Sequence, residues 1–200
     1  EKYLKDNNIP VTEISSITGM STVMDGRVKT LNPKIFGGIL ADRENNNHLK
    51  DLSKIDAKTI DLIVVNLYPF VDEAVKNKLP MNKAIEYIDI GGPSMLRAAA
   101  KNYHSVCVLS DISDYSDFIQ NFNKEQKNID LSWRKQNAAK VFLRTSNYDA
   151  SIFEYFNNNN TFSDNKIISL VKKQDLRYGE NPHQKGAFYT DLNNEVNWVQ

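Results

Sequence analysis

The run Asp61-Leu62-Ile63-Val64-Val65-Asn66-Leu67-Tyr68 limits what this chain can fold into more than any other stretch. Four consecutive apolar residues, with Pro69 stopping the run, describe a strand buried on both faces, as in a parallel sheet covered by helices. A second such run, 105–110, contains Val106-Cys107-Val108-Leu109. Between the two lie helical stretches at 70–78, 81–88 and 94–102, the last carrying the strong helix formers Ala98, Ala99 and Ala100. Strands that alternate with helices need crossover connections. The pattern therefore predicts an α/β domain of βαβ units around a mostly parallel sheet.

The other segments are read on the same rules. The chain opens on Glu1-Lys2-Tyr3-Leu4-Lys5, charged and helical in character, closed by Asn7-Asn8 and stopped at Pro10. It reads as a helix already under way, which predicts residues upstream, and it has no signal-peptide pattern. Positions 11–16 alternate apolar and polar, as a short strand does. Positions 18–26 are a loop, and 35–41 a helix or tight loop, with Gly37-Gly38 leaving that choice open. Pro93 suits a first helical position, and Asp111 or Ser113 can cap a helix running to 123. Ala138, Val141, Phe142, Tyr148 and Ile152 recur at helical spacing, so 131–155 is one long helix or a helix pair. Four asparagines at 157–160 form a linker or loop tip, 166–172 is a strand, and 176–184 opens a new unit.

Composition narrows the function. Two hundred residues fit one α/β domain with the start of another. Lys+Arg and Asp+Glu each total 25, so the basic excess of a nucleic-acid-coating protein is missing, while a local basic pocket is not excluded. The single cysteine, Cys107, sits in an apolar run, which excludes an internal disulfide framework and predicts a buried thiol in a reducing compartment. His48, His104 and His183 lack ligand spacing, so no histidine-cluster metal site is expected. No apolar stretch approaches the roughly 20 residues that span a bilayer.

In an open parallel sheet, ligands gather at the carboxyl ends of the strands. Tyr68 stands at such an end, Asp89 precedes the Gly91-Gly92 turn and a helix start, and Arg27 and Lys29 come from an early loop. Arg27-x-Lys29-Thr30 can grip a phosphate, or can be a solvated loop. Asp89-Ile90-Gly91-Gly92 can present free N–H groups to a ligand, or can be an ordinary cap. Arg97 and Lys101 share a helix face; if it looks into the pocket Lys101 can approach Asp89, and otherwise it is a solvated face. Tyr68 with Asn66 can bind a planar heterocycle, or Tyr68 can belong to the core. Together these groups suit a small, anionic, nitrogen-rich substrate handled by acid–base chemistry without a metal.

Four strings occur in order: Asp25-Gly26-Arg27-Val28-Lys29-Thr30-Leu31; Asn66-Leu67-Tyr68-Pro69-Phe70; Asp89-Ile90-Gly91-Gly92 with Arg97-Ala98-Ala99-Ala100-Lys101-Asn102; and Leu176-Arg177-Tyr178-Gly179-Glu180-Asn181-Pro182-His183-Gln184. In them the chain closely resembles the bifunctional phosphoribosylaminoimidazolecarboxamide (AICAR) formyltransferase/IMP cyclohydrolase family, along essentially its whole length. The resemblance implies a methylglyoxal-synthase-like three-layer α/β domain, then the beginning of a cytidine-deaminase-like transformylase domain. It divides the chain into a cyclohydrolase part at 1–130, a helical connection at 131–165 and a transformylase start at 166–200. It implies ring closure of formyl-AICAR to IMP with loss of water, after formyl transfer from 10-formyltetrahydrofolate, a co-substrate; the cyclohydrolase needs no cofactor. A cytoplasmic homodimer acting on a small ribonucleotide is expected, with no nucleic acid and no membrane as partner.

By resemblance, Lys29, Tyr68, Asp89 and Lys101 are the cyclohydrolase catalytic positions, Lys101 being the proton donor/acceptor. Arg27, Val28, Lys29, Thr30, Val65, Asn66, Asp89, Ile90, Gly91 and Gly92 bind its nucleotide, and Arg177 and Tyr178 hold the ribotide of the transformylase. Asn32 stands where the family usually has histidine, and cannot exchange protons. The family's two phosphate-cradling loops are expected upstream of this chain, and the transformylase's catalytic Lys-His pair beyond Gln200. The chain as given is therefore expected to lack full activity in either reaction. The rivals are a lyase of the methylglyoxal synthase type and a non-catalytic nucleotide-binding regulatory module, neither of which explains 176–184.

Overall fold

A computed structural model describes residues 2–124, 128–157 and 162–191 and divides the chain into two compact units, Glu1–Ile152 and Phe153–Gln200. In the first unit the elements run α1 (Lys2–Asp6), α2 (Ile14–Thr18), α3 (Pro33–Leu40), α4 (Asn46–Lys54), β1 (Leu62–Val64), α5 (Met81–Ala84), α6 (Gly91–Lys101), β2 (Cys107–Leu109) and α7 (Tyr115–Lys124). The 27-residue helix α8 (Leu131–Asn157) follows, and β3 (Leu170–Leu176) and β4 (Gly186–Asp191) form an antiparallel hairpin in the second unit.

β1 and β2 pair in parallel, Ile63 opposite Val108. Side chains alternate across a strand, so β2 serves two cores at once. Val106 and Val108 face Ile35 and Ile39 of α3, Leu96 and Ala98–Ala100 of α6, and Ala138 and Val141 of α8. Cys107 and Leu109 face Trp133 at the start of α8 and Tyr115, Phe118 and Phe122 of α7. Helices thus cover both faces of β2, consistent with the α/β layering that the apolar runs predict and the three-layer domain that the resemblance implies. Burial holds Cys107 with its thiol pushed up to about 11, so it is a core residue and not a nucleophile.

Several expectations change in detail. Positions 11–16 form no strand; Ile14–Thr18 is a helical turn instead. Six residues are too few to tell a period of two from one of 3.6. β1 is buried on one face only: Ile63 is 8% exposed, whereas Leu62 and Val64 are 37% and 46% exposed. Their face looks toward the α7 side, where the apolar cluster closes over β2 and does not extend across β1. The stretch after Pro69 is a π-helical turn, Val71–Val75, and 81–88 splits into α5 and a 3-10 turn, Ile85–Tyr87. Pro93 is the third residue of α6, not the first, where its missing N–H is still without an intrahelical partner. The strand expected at 166–172 begins at Leu170, and α8 is one helix through Asn157. The rest of the asparagine tract, 158–160, lies outside the described residues. Helix α4, capped by the Asn45 side chain, was not foreseen. No helix is long and apolar enough to cross a membrane among the described residues.

The Gly37-Gly38 pair is explained by packing. A Cβ on Gly38 would lie 2.4 Å from the Lys58 carbonyl oxygen, and that chain segment is tied in by Ile60 N–H donating to Gly38 O at 3.0 Å. A Cβ on Gly37 would meet only the ends of Ile55 and Leu52, at 3.2 Å. Asn102 then joins α3 to α6, its side-chain amide donating to the Ile39 and Ala41 carbonyls at 2.8 and 3.0 Å. We expect Gly38→Ala to cost about 3 kcal/mol in urea unfolding, because backbone must move. Gly37→Ala should cost less than about 1 kcal/mol, since helix propensity offsets the contact.

Asp111 gives a pH-dependent prediction. The Ser113 N–H, then the Ser113 hydroxyl and the Arg144 guanidinium, hold its carboxyl down at about 2, against an ordinary 3.8. A depressed carboxylate contributes fully above its unfolded value and loses that contribution as pH falls through its folded one. The stability gap between wild type and Asp111→Ala, measured by urea titration, should therefore narrow as pH drops from about 4 toward 2.

Candidate functional site

Three stretches far apart in sequence wall one cleft of about 470 Å³: Asp25, Gly26 and Arg27; Tyr68; and Ile85, Glu86, Ile88, Asp89 and Ile90. The first wall is a tight loop closed by the Val23–Val28 bridge, whose N–H···O distances are 3.3 and 3.4 Å. Within it Met24, Asp25 and Gly26 all take left-handed backbone, with φ of 53°, 52° and 98°. Side-chain-bearing residues pay about 1–2 kcal/mol each for that conformation. The turn leaves Arg27 on the cleft, where its Nη2 meets Glu86 Oε1 at 2.5 Å. Both side chains are more than half exposed, so this pair is worth no more than about 1 kcal/mol. It places the guanidinium across the cleft without locking it there.

The second wall follows β1. Phe70 is 1% exposed and anchors the chain, its N–H donating to the Tyr68 carbonyl at 2.8 Å. Tyr68 itself is 61% exposed and faces the cleft, so it is not the core tyrosine that its place after a strand allowed.

The third wall runs into α6. Asp89 Oδ1 accepts from the Gly92 N–H at 2.8 Å, satisfying a helix-start donor. Glycine leaves room for this contact, since a Cβ at position 92 would lie 2.3 Å from Asp89 Oδ2 and the carboxylate would have to move. The Asp89 N–H donates to Tyr148 Oη at 2.7 Å, and that hydroxyl donates to the Tyr87 carbonyl at 3.2 Å. Burial pushes the Tyr148 phenol upward, so it stays protonated and able to donate.

Of the residues singled out in the sequence, Arg27, Tyr68, Asp89 and Ile90 meet in this cleft, and Gly91 and Gly92 open the helix behind Asp89. Thr30 packs beside Gly91, its Oγ1 3.2 Å from where a Cβ would stand. Val28 belongs to the loop-closing bridge, and Lys29 beside it is exposed and outside the walls. Val65 donates its N–H to Leu109 O at 3.1 Å and packs on the core. Asn66 donates to the Tyr115 hydroxyl at 3.0 Å, away from Tyr68's cleft.

The expected approach of Lys101 to Asp89 does not occur. Lys101 closes α6, whose eleven residues put roughly 16 Å of helix between the two ends. Arg97 lies over the Phe142 ring at 5.5 Å, so this face of α6 borders α8. Asn32 caps α3, its Oδ1 accepting from the Lys34 N–H at 2.9 Å, a structural role that asparagine suits. In the second unit Arg177 and Tyr178 are exposed in the β3–β4 connection, which is folded by Gly179 N–H donating to Gln184 O at 2.8 Å.

Sequence reading missed Glu86, Ile85, Ile88 and Tyr148. Glu86 was findable as the acidic residue three before Asp89 on a short helical turn, facing a loop that offers Arg27. Tyr148 was noted only as part of a helical apolar period, which hides a hydroxyl.

A family model described as AICARFT/IMPCHase bienzyme matches residues 99–200, just over half of the chain, and one described as an MGS-like domain matches residues 1–94. The bifunctional purine biosynthesis protein PurH of Fusobacterium nucleatum is 50% identical over 190 residues, 95% of this chain and 37% of the relative. That of Clostridium acetobutylicum is 47% identical over 188 residues, 94% of this chain and 37% of the relative. The chain thus spans a little over a third of the length of these curated relatives. A solved structure, described as the crystal structure of ForH, aligns with a TM-score of 0.66 at 34% identity, covering 78% of this chain and 79% of that one. The boundary between the two family models falls inside α6, whereas the compact units part at Ile152.

Gly92→Ala should push the Asp89 carboxylate off the helix start and lower stability by about 1–3 kcal/mol. Thermal unfolding beside Gly179→Ala, whose Cβ would meet nothing closer than 3.1 Å, checks this.

Proposed function

The chain belongs to the AICARFT/IMPCHase bienzyme family, and on that footing we propose that it carries much of the cyclohydrolase site of a two-step purine enzyme. The enzyme would formylate AICAR from 10-formyltetrahydrofolate and then close formyl-AICAR to IMP with loss of water. What supports this most is the cleft itself: Arg27, Tyr68 and Asp89, from three of the four ordered motifs, line one cavity.

The chemistry suits those groups. A guanidinium fork can donate to a phosphate, an exposed phenol can lie against a planar heterocycle, and a carboxylate with one oxygen spent on Gly92 keeps the other for a carboxamide N–H. In ring closure the carboxamide nitrogen bonds to the formyl carbon and loses a proton, while the formyl oxygen gains one; that hydroxyl then leaves as water with the formamide N–H proton, and a C=N bond remains. Holding both ends of one molecule supplies much of that barrier. Lys101 as the proton donor/acceptor and Lys29 as a catalytic position, both outside the cleft walls, are kept on the resemblance alone. So are Val28, Thr30, Val65, Asn66 and Ile90 to Gly92 as nucleotide-binding positions, and Arg177 and Tyr178 as ribotide-binding positions of the transformylase. Cytoplasmic location, a homodimer, and the division at 130 and 165 belong to the same proposal.

The test follows IMP formation from the formylated ribotide by the full-length parent protein. Asp89→Asn should lower kcat/KM by about a hundredfold or more, and Lys101→Ala likewise, with the fold intact. An active Lys101→Ala enzyme would remove that lysine from the mechanism. A parent without any turnover would favour the regulatory nucleotide-binding module.

A further inference from the structure

We propose that Tyr148 is the positioning residue of this cleft: from α8, outside the cavity, it sets the spacing of two of its walls. The inference rests on the cyclohydrolase reading for its functional consequence, and on geometry alone for the hold itself.

A tyrosine hydroxyl has one proton to give and lone pairs to accept with. Here both are used on one short segment. Tyr148 Oη accepts the Asp89 N–H at 2.7 Å and donates to the Tyr87 carbonyl at 3.2 Å. That segment is irregular: the 3-10 turn ends at Tyr87, Ile88 is extended, and α6 begins at Gly91. No helix or strand ladder supplies partners for Tyr87 O and Asp89 N–H, and partly buried backbone groups without partners are costly. Five residues of the cleft lie between 85 and 90, so the hydroxyl secures a whole wall from behind.

The ring reaches the other wall. It packs edge-on against Phe70, with ring centroids 6.4 Å apart. Phe70 is the buried anchor of the Tyr68 segment. One side chain therefore reaches the supports of both Tyr68 and Asp89, by its ring and by its hydroxyl. Its own footing is firm, because Val141 and Thr145, on the preceding two turns of α8, are 0% and 1% exposed. Tyr148 does not line the cavity, so it acts through Asp89 and is no catalytic residue.

Tyr148→Phe removes one oxygen and keeps the ring against Phe70. In the full-length protein, amide hydrogen exchange at Asp89 should speed up tenfold or more, while β1 and β2 amides keep wild-type rates. Cyclisation of the formylated ribotide should lose about tenfold in kcat with a smaller change in KM, and transformylase turnover of the same preparation should not move. Tyr148→Leu, which also removes the ring, should then raise KM as the Tyr68 wall loosens. Unchanged exchange at Asp89 in Tyr148→Phe would overturn the hold. Faster exchange with wild-type cyclisation kcat, or equal losses in both reactions, would overturn the positioning role and leave a merely structural tyrosine. A wild-type enzyme that does not cyclise would overturn the functional reading instead, and the exchange measurement would still decide whether Tyr148 holds the wall.

Discussion

Helix α6 can pack closely against the β1–β2 pair and its neighbouring helices because the side chains it buries are mostly small. Ala98, Ala99 and Ala100 are 7%, 0% and 2% exposed, with Leu96 fully buried beside them. Small side chains bring the helix close to the strands and also cost no rotamer entropy. Much of the first unit follows from that approach. It brings the start of α6, with Asp89, to the end of the sheet where Tyr68 emerges. It also brings Asn102, just past the helix, to the carbonyls that end α3. A bulky residue in the alanine run would have no room among these layers and would push them apart.

The sheet and its covering helices were legible because 61–68 and 105–110 are apolar runs with an unmistakable break between them. Their layering followed from the need to cover both faces of a parallel pair. What was not legible is local. The alternation at 11–16 was too short to distinguish two periods, and α4 has only Leu52 buried, so its apolar signal is faint. The Gly37-Gly38 pair argued against a helix on propensity, and tertiary contact overrode it. Nothing within the helix itself announces that the Lys58 carbonyl passes 2.4 Å from a would-be Cβ.

The site was legible in its motifs and less so in its geometry. Arg27, Tyr68 and Asp89 were each ambiguous alone and converge in space. The helix spacing that joined Arg97 to Lys101 gave their common face but not its direction, and that direction is toward Phe142. Glu86 and Tyr148 escaped because their partners lie 59 residues or more away in sequence, and no local pattern encodes such a contact.

The Arg27–Glu86 contact gives the resting cleft an electrical character of its own. The guanidinium faces a carboxylate at rest, yet more than half of each side chain stays in water. Parting the two would cost little, because neither side chain is buried. A contact this weak tempers the charge of the cleft without closing it, and leaves the guanidinium free to turn to another anion.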